Sequence, residues 1–195
     1  MPEFNPLEIP FGPATYILDE GLETELSFDG VNEMQNEGGE LTLTPETEDI
    51  VILDYGNTAY DKRLVGWEAE VVISAARQTL EIMHAAMSFA NPIMKDGKIV
   101  GLQDAPIGSS ARLKGRTLTI RPRNAKDRST DIFLFKVVAS GEFSRSYGNE
   151  QGNVPLTLSV LPKDGADPTK DGNYFRIGGV EEDNGDDTPS PTPED

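Results

Sequence analysis

The sequence predicts a mainly β fold, an antiparallel β-sandwich or barrel with one flanking α-helix, and three observations predict it. Apolar and polar residues alternate over many short runs, and clusters such as Asp29-Gly30, Asn36–Gly39 and Pro162–Gly172 punctuate those runs. A single stretch, Ser74–Ala90, instead repeats its apolar residues at spacings of three and four. Strands, one inserted helix and further strands make a sheet that covers one flank with that helix.

Residues 1–13 read as an extended arm or a frayed terminus, because Pro2, Pro6, Pro10 and Pro13 interleave with Phe4, Leu7, Ile9 and Phe11. A free tail has no use for such apolar residues, whereas an arm laid on a neighbouring surface does. Ala14–Leu18 and Thr24–Phe28 read as short strands joined through Asp19-Glu20-Gly21. Glu40–Thr44 alternates as a strand, Pro45–Thr47 interrupts it, and Ile50–Leu53 resumes it. Asp54–Asp61, DYGNTAYD, is an exposed loop carrying Tyr55 and Tyr60. Arg63–Ile73 is the clearest strand, with Val65, Trp67, Ala69, Val71 and Ile73 on a core face and Glu68 and Glu70 among the residues opposite.

The helix expected over 74–90 buries a stripe of Ala76, Leu80, Met83, Met87 and Ala90, with Ser74 as N-cap and Asn91-Pro92 as the stop. His84 falls on its polar face beside Glu81 and Ser88 and reads as a solvated histidine. Lys95–Arg112 is loop-rich, with a turn at Asp96-Gly97. Leu113–Arg121, Asp131–Ala139 and Val154–Leu161 are strands, and Asn173–Ile177 closes the domain, which spans residues 14–180. Residues 181–195, EEDNGDDTPSPTPED, lack any large apolar side chain to offset the entropy of ordering and read as a disordered acidic tail.

Charge and chemistry narrow the function. The formal charge is −17, from 34 acids and 17 bases; the tail holds seven of the acids and no base, so residues 1–180 keep 27 acids against 17 bases, or −10. Such a surface repels a phosphate backbone and argues against a conventional nucleic-acid binder. With no cysteine and one histidine, the chain has no thiolate chemistry, no Cys-type zinc site, and no triad unless His84 is the base. Asp164, Asp167 and Asp171 lack the ligand spacing of a calcium loop and read as a turn. The basic cluster Arg121, Arg123, Lys126 and Arg128 is expected to meet acids of its own chain or of a neighbour. No apolar run reaches the roughly 20 residues that span a bilayer, and residues 1–16 lack the basic-then-apolar order of a secretory signal, so a soluble, leaderless chain with no membrane partner is expected.

Four stretches carry a resemblance: LSFDGVNEMQNEGGELTLTPETEDI, DYGNTAYDKRLVGWEAEV, LQDAPIGSSARLKGRTLTIRPR and SRSYGNEQGNVPLTLSVLPKDGADPTKDGNYFRIG. Together they cover most of Leu26–Gly178 and are similar to the major tail tube proteins of long, flexible-tailed bacteriophages. The resemblance implies a β-sandwich or barrel with a flanking helix whose copies form hexameric rings, stacked into a hollow tube through which DNA passes without specific binding. It further implies a virion protein assembled in the host cytoplasm, with no enzymatic activity and no cofactor, whose partners are itself, a tape measure protein, and tail terminator and distal tail proteins.

On that reading Phe4, Ile9, Phe11, Tyr55, Tyr60 and Arg63 are candidate intersubunit contacts, and Glu68 and Glu70 candidate lumen-facing acids. The alternatives are a β-sandwich module for carbohydrate binding or adhesion, which needs a groove of exposed aromatics, and a hydrolase using paired carboxylates. Trp67, the one tryptophan, is expected in the core instead.

Overall fold

The structure, a computed structural model, describes residues 12–125, 127–145 and 152–179. Phe4, Ile9 and Phe11 of the arm, Lys126, and the tail 181–195 lie outside the described residues. The elements are β1 (Ala14–Leu18), β2 (Leu26–Phe28), β3 (Glu40–Val51), β4 (Ala59–Ala75), α1 (Leu80–Ala86), β5 (Ala90–Lys95), β6 (Lys98–Asp104), β7 (Arg116–Pro122), β8 (Ile132–Ala139), β9 (Val154–Val160) and β10 (Phe175–Ile177). The fold is mainly β, antiparallel, with one flanking helix. One sheet runs β2-β1-β7-β8-β9-β4-β3, and β5 and β6 form a separate hairpin. Two strands share one side of β8 end to end: Val137–Ala139 pairs with β9, and Ile132–Leu134 with β10.

The segment after β2 bends this sheet round a single core. Gln35 donates through Nε2 to the carbonyls of Ala14 and Phe28, at 2.8 and 2.7 Å, while its backbone bridges to Ala75. Asn36 N donates to Ser74 O at 2.8 Å, and Ala76 N to Met34 O at 2.9 Å. The β1–β2 end is thereby tied to β4, and Leu18, Phe28, Ile73, Leu118, Leu134 and Leu156 share the fully buried interior.

The helix is far shorter than the periodicity predicts. Ser74 and Ala75 remain in β4, because Pro155 and Val154 of β9 and the 34–36 segment supply ladder partners on both sides. Thr79, not Ser74, is the N-cap, its side chain accepting from Ile82 N. The buried face is Ile82, Ala85 and Ala86, while Leu80, Met83 and Met87 of the expected stripe are half-buried. Ala90 and Pro92 already belong to β5.

Three other expectations change. Pro45 does not interrupt β3, which runs unbroken with a bulge after Glu46: β3 is an edge strand, where a missing amide leaves no neighbour unpaired. Lys95–Arg112 holds β6 and a 3-10 turn at Ala111–Lys114 rather than loop alone, and β7 therefore starts at Arg116. Asp96 (φ 50°) and Gly97 (φ 74°) do form the expected turn, in the left-handed geometry that suits a two-residue hairpin. Trp67 is half-buried, edge-on to Phe175 at 5.1 Å, and Val65 on its strand is 61% exposed.

Candidate functional site

The β3–β4 hairpin reaches beyond the body of the sheet. Glu70 is the last β4 residue in that direction to pair with β9, opposite Ser159. Outward from there β4 has β3 for its ladder, and from Gly66 to Ala59 the ribbon extends about 25 Å at the usual strand rise. Val51, Leu53, Tyr55, Tyr60, Leu64 and Val65 are all exposed on it, Leu53 at 91%. The rings of Tyr55 and Tyr60 stand 5.3 Å apart across the tip. Arg63 pairs in register with Glu48, and beside it Lys62 Nζ meets Asp49 Oδ1 at 2.6 Å. An isolated two-stranded ribbon is marginal in water, and its apolar side chains find no cover among the described residues.

Strand alternation sets a second surface. Ala69, Val71 and Ile73 enter the core, so Glu68 and Glu70 face outward, as their spacing predicts. The register places Thr44 opposite Glu68, Thr42 opposite Glu70, Glu40 opposite Val72 and Glu46 opposite Gly66. Four carboxylates thus share one face with hydroxyls, and none of these positions carries a base. A Cβ on Gly66 would stand 2.8 Å from Glu46 Oε2, so the glycine leaves room for that carboxylate. Glu40 and Glu46 escape a sequence reading because membership of the face depends on register.

Arg121, Arg123 and Arg128, the described residues of the basic cluster, find partners in their own chain. Asp131, wholly buried, accepts at Oδ2 from Arg121 at 2.8 Å and from Arg128 at 3.3 Å, and the same two arginines reach Glu20 at 3.0 and 2.9 Å. Burial pushes the Glu20 pKa up, but hydrogen bonds from Thr119 and Arg121 and the charges of Arg121 and Arg128 bring it below the usual carboxylate value. Arg123 donates to Phe28 O at 3.4 Å. The Asp164–Asp171 region is a turn: Asp164 meets Lys136 and Arg112, and Asp167 Oδ1 accepts from Thr169. Among the described residues no group of three His, Asp or Glu is placed to hold a metal, and no helix is long and apolar enough to cross a membrane.

His84 is not the solvated residue its helical position suggests. It is half-buried in a cleft of about 640 Å³ between α1, the β5–β6 hairpin and the β1–β2 turn. Leu26, Pro92, Met94 and Ile99 present its apolar surface, and Glu23, Glu25 and Glu81 line it with Lys98 and Lys114. Arg116 Nε bonds Asp19 Oδ2 at 2.7 Å beside it. Burial, then the charges of Arg116 and Lys114, lower the His84 pKa, which favours the neutral ring. The cleft was missed because β5 and β6 were; the alternation about Asp96-Gly97 was the available signal. Neither a protein-family model nor a curated protein matches this chain.

Proposed function

We propose that this chain is the repeating subunit of a phage-type tail tube, assembling as hexameric rings stacked into a hollow conduit for DNA. The observation that carries the proposal is the projecting β3–β4 hairpin, whose Leu53, Tyr55, Tyr60, Leu64 and Val65 are uncovered among the described residues and suit a contact with another molecule. Among the described residues β3 is an edge strand, whose outer backbone groups a neighbouring sheet edge would satisfy. Tyr55, Tyr60 and Arg63 then lie at subunit contacts. The face of Glu40, Glu46, Glu68 and Glu70 lines the lumen and keeps DNA off the wall. The subunit acts by assembly rather than catalysis, in a virion, and meets tape measure, terminator and distal tail proteins at the tube's interior and ends.

Electron microscopy of the concentrated full-length protein tests this. Rings or tubes with a central channel are expected; a chain that stays monomeric at every concentration overturns it. One observation favours an adhesive module instead, the exposed Tyr55–Tyr60 pair, which could stack on a sugar ring. Glycan binding by a monomer, lost when both tyrosines are replaced, would establish that second reading.

A further inference from the structure

We propose that residues 30–38 form a hinged strap, latched by Gln35 over the edge of β4, which opens as a unit while the sheet beneath it stays folded. Opening needs no second copy, so the strap stands apart from the tube reading.

The strap closes a gap that no strand ladder spans. β2 and β3 are the two ends of the main sheet, and β3 covers β4 only as far as Val72, opposite Glu40. Past that point Ser74–Ala76 take their outer partners from the strap: Asn36 N donates to Ser74 O, Ala76 N donates to Met34 O, and Gln35 bridges to Ala75. Toward β1 and β2 the strap holds on through a side chain, because Gln35 Nε2 donates to both Ala14 O and Phe28 O where a ladder rung would otherwise stand. Glu33 N adds a bond to Ser27 O at 3.1 Å, and the half-exposed Arg77 reaches Glu33 at 3.3 Å, a contact worth little in water.

Three features make the strap separable. No residue from 30 to 38 is buried, and Val31 and Met34 are exposed, so little apolar burial opposes lifting; β7, β8 and β9 by contrast hold Leu118, Val137 and Leu158 in the core. Glycines stand at both ends: Gly30 has φ 85°, and Gly38 lies in open space next to Gly39, which Tyr16 pins. Between them Asp29 Oδ1 accepts from Val31 N and Asn32 N at 2.7 Å each, so the tip keeps its shape as it moves. Finally, Gln35 Oε1 is buried without a hydrogen-bond partner, a desolvation cost of the closed latch that water relieves on opening. When the strap lifts, Ser74 O and Ala76 N lose their partners, and β4 shows there the kind of bare edge that invites strand addition. Gln35 thus guards an edge as well as closing the sheet.

Native-state hydrogen exchange on the full-length chain, resolved at single amides, tests this. The amides of Glu33, Asn36 and Ala76 are expected to open together, about 100-fold more often than the slowest amides of β7, β8 and β9. Gln35→Glu keeps the size of the side chain and loses its donor, so strap opening should rise about tenfold with two hydrogen bonds gone. Val160→Ala, in the core of β9, should speed the slowest amides and leave the three strap amides unchanged, because its packing survives in the open form. Strap amides that exchange as slowly as the core, or that Val160→Ala speeds in step with it, overturn the proposal. Strap opening that Gln35→Glu leaves unchanged overturns it too, by removing Gln35 as the latch. Should Gln35→Glu fail to fold, the parent chain and Val160→Ala still decide whether the strap opens by itself.

Discussion

The phenol of Tyr16 lies against the backbone of Gly39, so closely that a Cβ on the glycine would stand 2.5 Å from the tyrosine oxygen and 2.8 Å from Val72 O. Here β1 meets the entry to β3 across the core, and the carbonyl cannot swing aside as a flexible side chain could. Gly39→Ala should destabilise the subunit by about 2–3 kcal/mol, as other overpacked sites do. Urea denaturation measures it, and an unchanged midpoint would mean the two elements are not in contact.

Asp131 and Glu20 hold Arg121 and Arg128 between them, joining the β1–β2 turn to the β7–β8 connection. Asp131→Ala removes a buried partner from two arginines that keep Glu20, and should cost about 1.5–3 kcal/mol, read as a lower urea midpoint.

Glu20 makes that network pH-dependent. Its folded pKa lies below its unfolded value, so its stabilisation is complete above about pH 4.3 and is lost as pH falls through the folded value. Glu20→Gln should be less stable than the parent at pH 6, with the gap in urea midpoint closing as pH falls below 4.

Tyr55 and Tyr60 touch each other at the hairpin tip and are otherwise exposed. Replacing both with serine should change monomer stability by no more than about 0.5 kcal/mol, as exposed substitutions do. Assembly should nonetheless be abolished, which sedimentation velocity reads directly. Tubes in undiminished yield would assign the pair another role.

Glu68→Lys with Glu70→Lys tests the proposed lumen face. Lysine–phosphate contacts release counterions and strengthen as salt is lowered, so genome release through variant tubes should slow most at low ionic strength. The field of the native acids reaches about 8 Å at physiological salt, comparable with the gap between a duplex and a close-fitting wall. Equal release rates at all salt concentrations would assign these acids to solubility or stacking.

The sequence by itself determined the fold class, the positions of β1, β8 and β9, the turn at Asp96-Gly97, and the outward direction of Glu68 and Glu70. Alternation with period two records which residues face water, and turn residues carry their backbone preference with them; both signals are local. The extent of the helix was decided by tertiary structure. Ser74 and Ala75 suit a helix by composition, but β9 and the 34–36 segment offer them hydrogen bonds that end-of-helix residues lack. The union of Glu40 and Glu46 with Glu68 and Glu70 required the strand register, and the cleft round His84 required the β5–β6 hairpin to stand off the main sheet. Those features join residues far apart in the chain, and their free energy comes from contacts that exist only once the sheet has curled round its core.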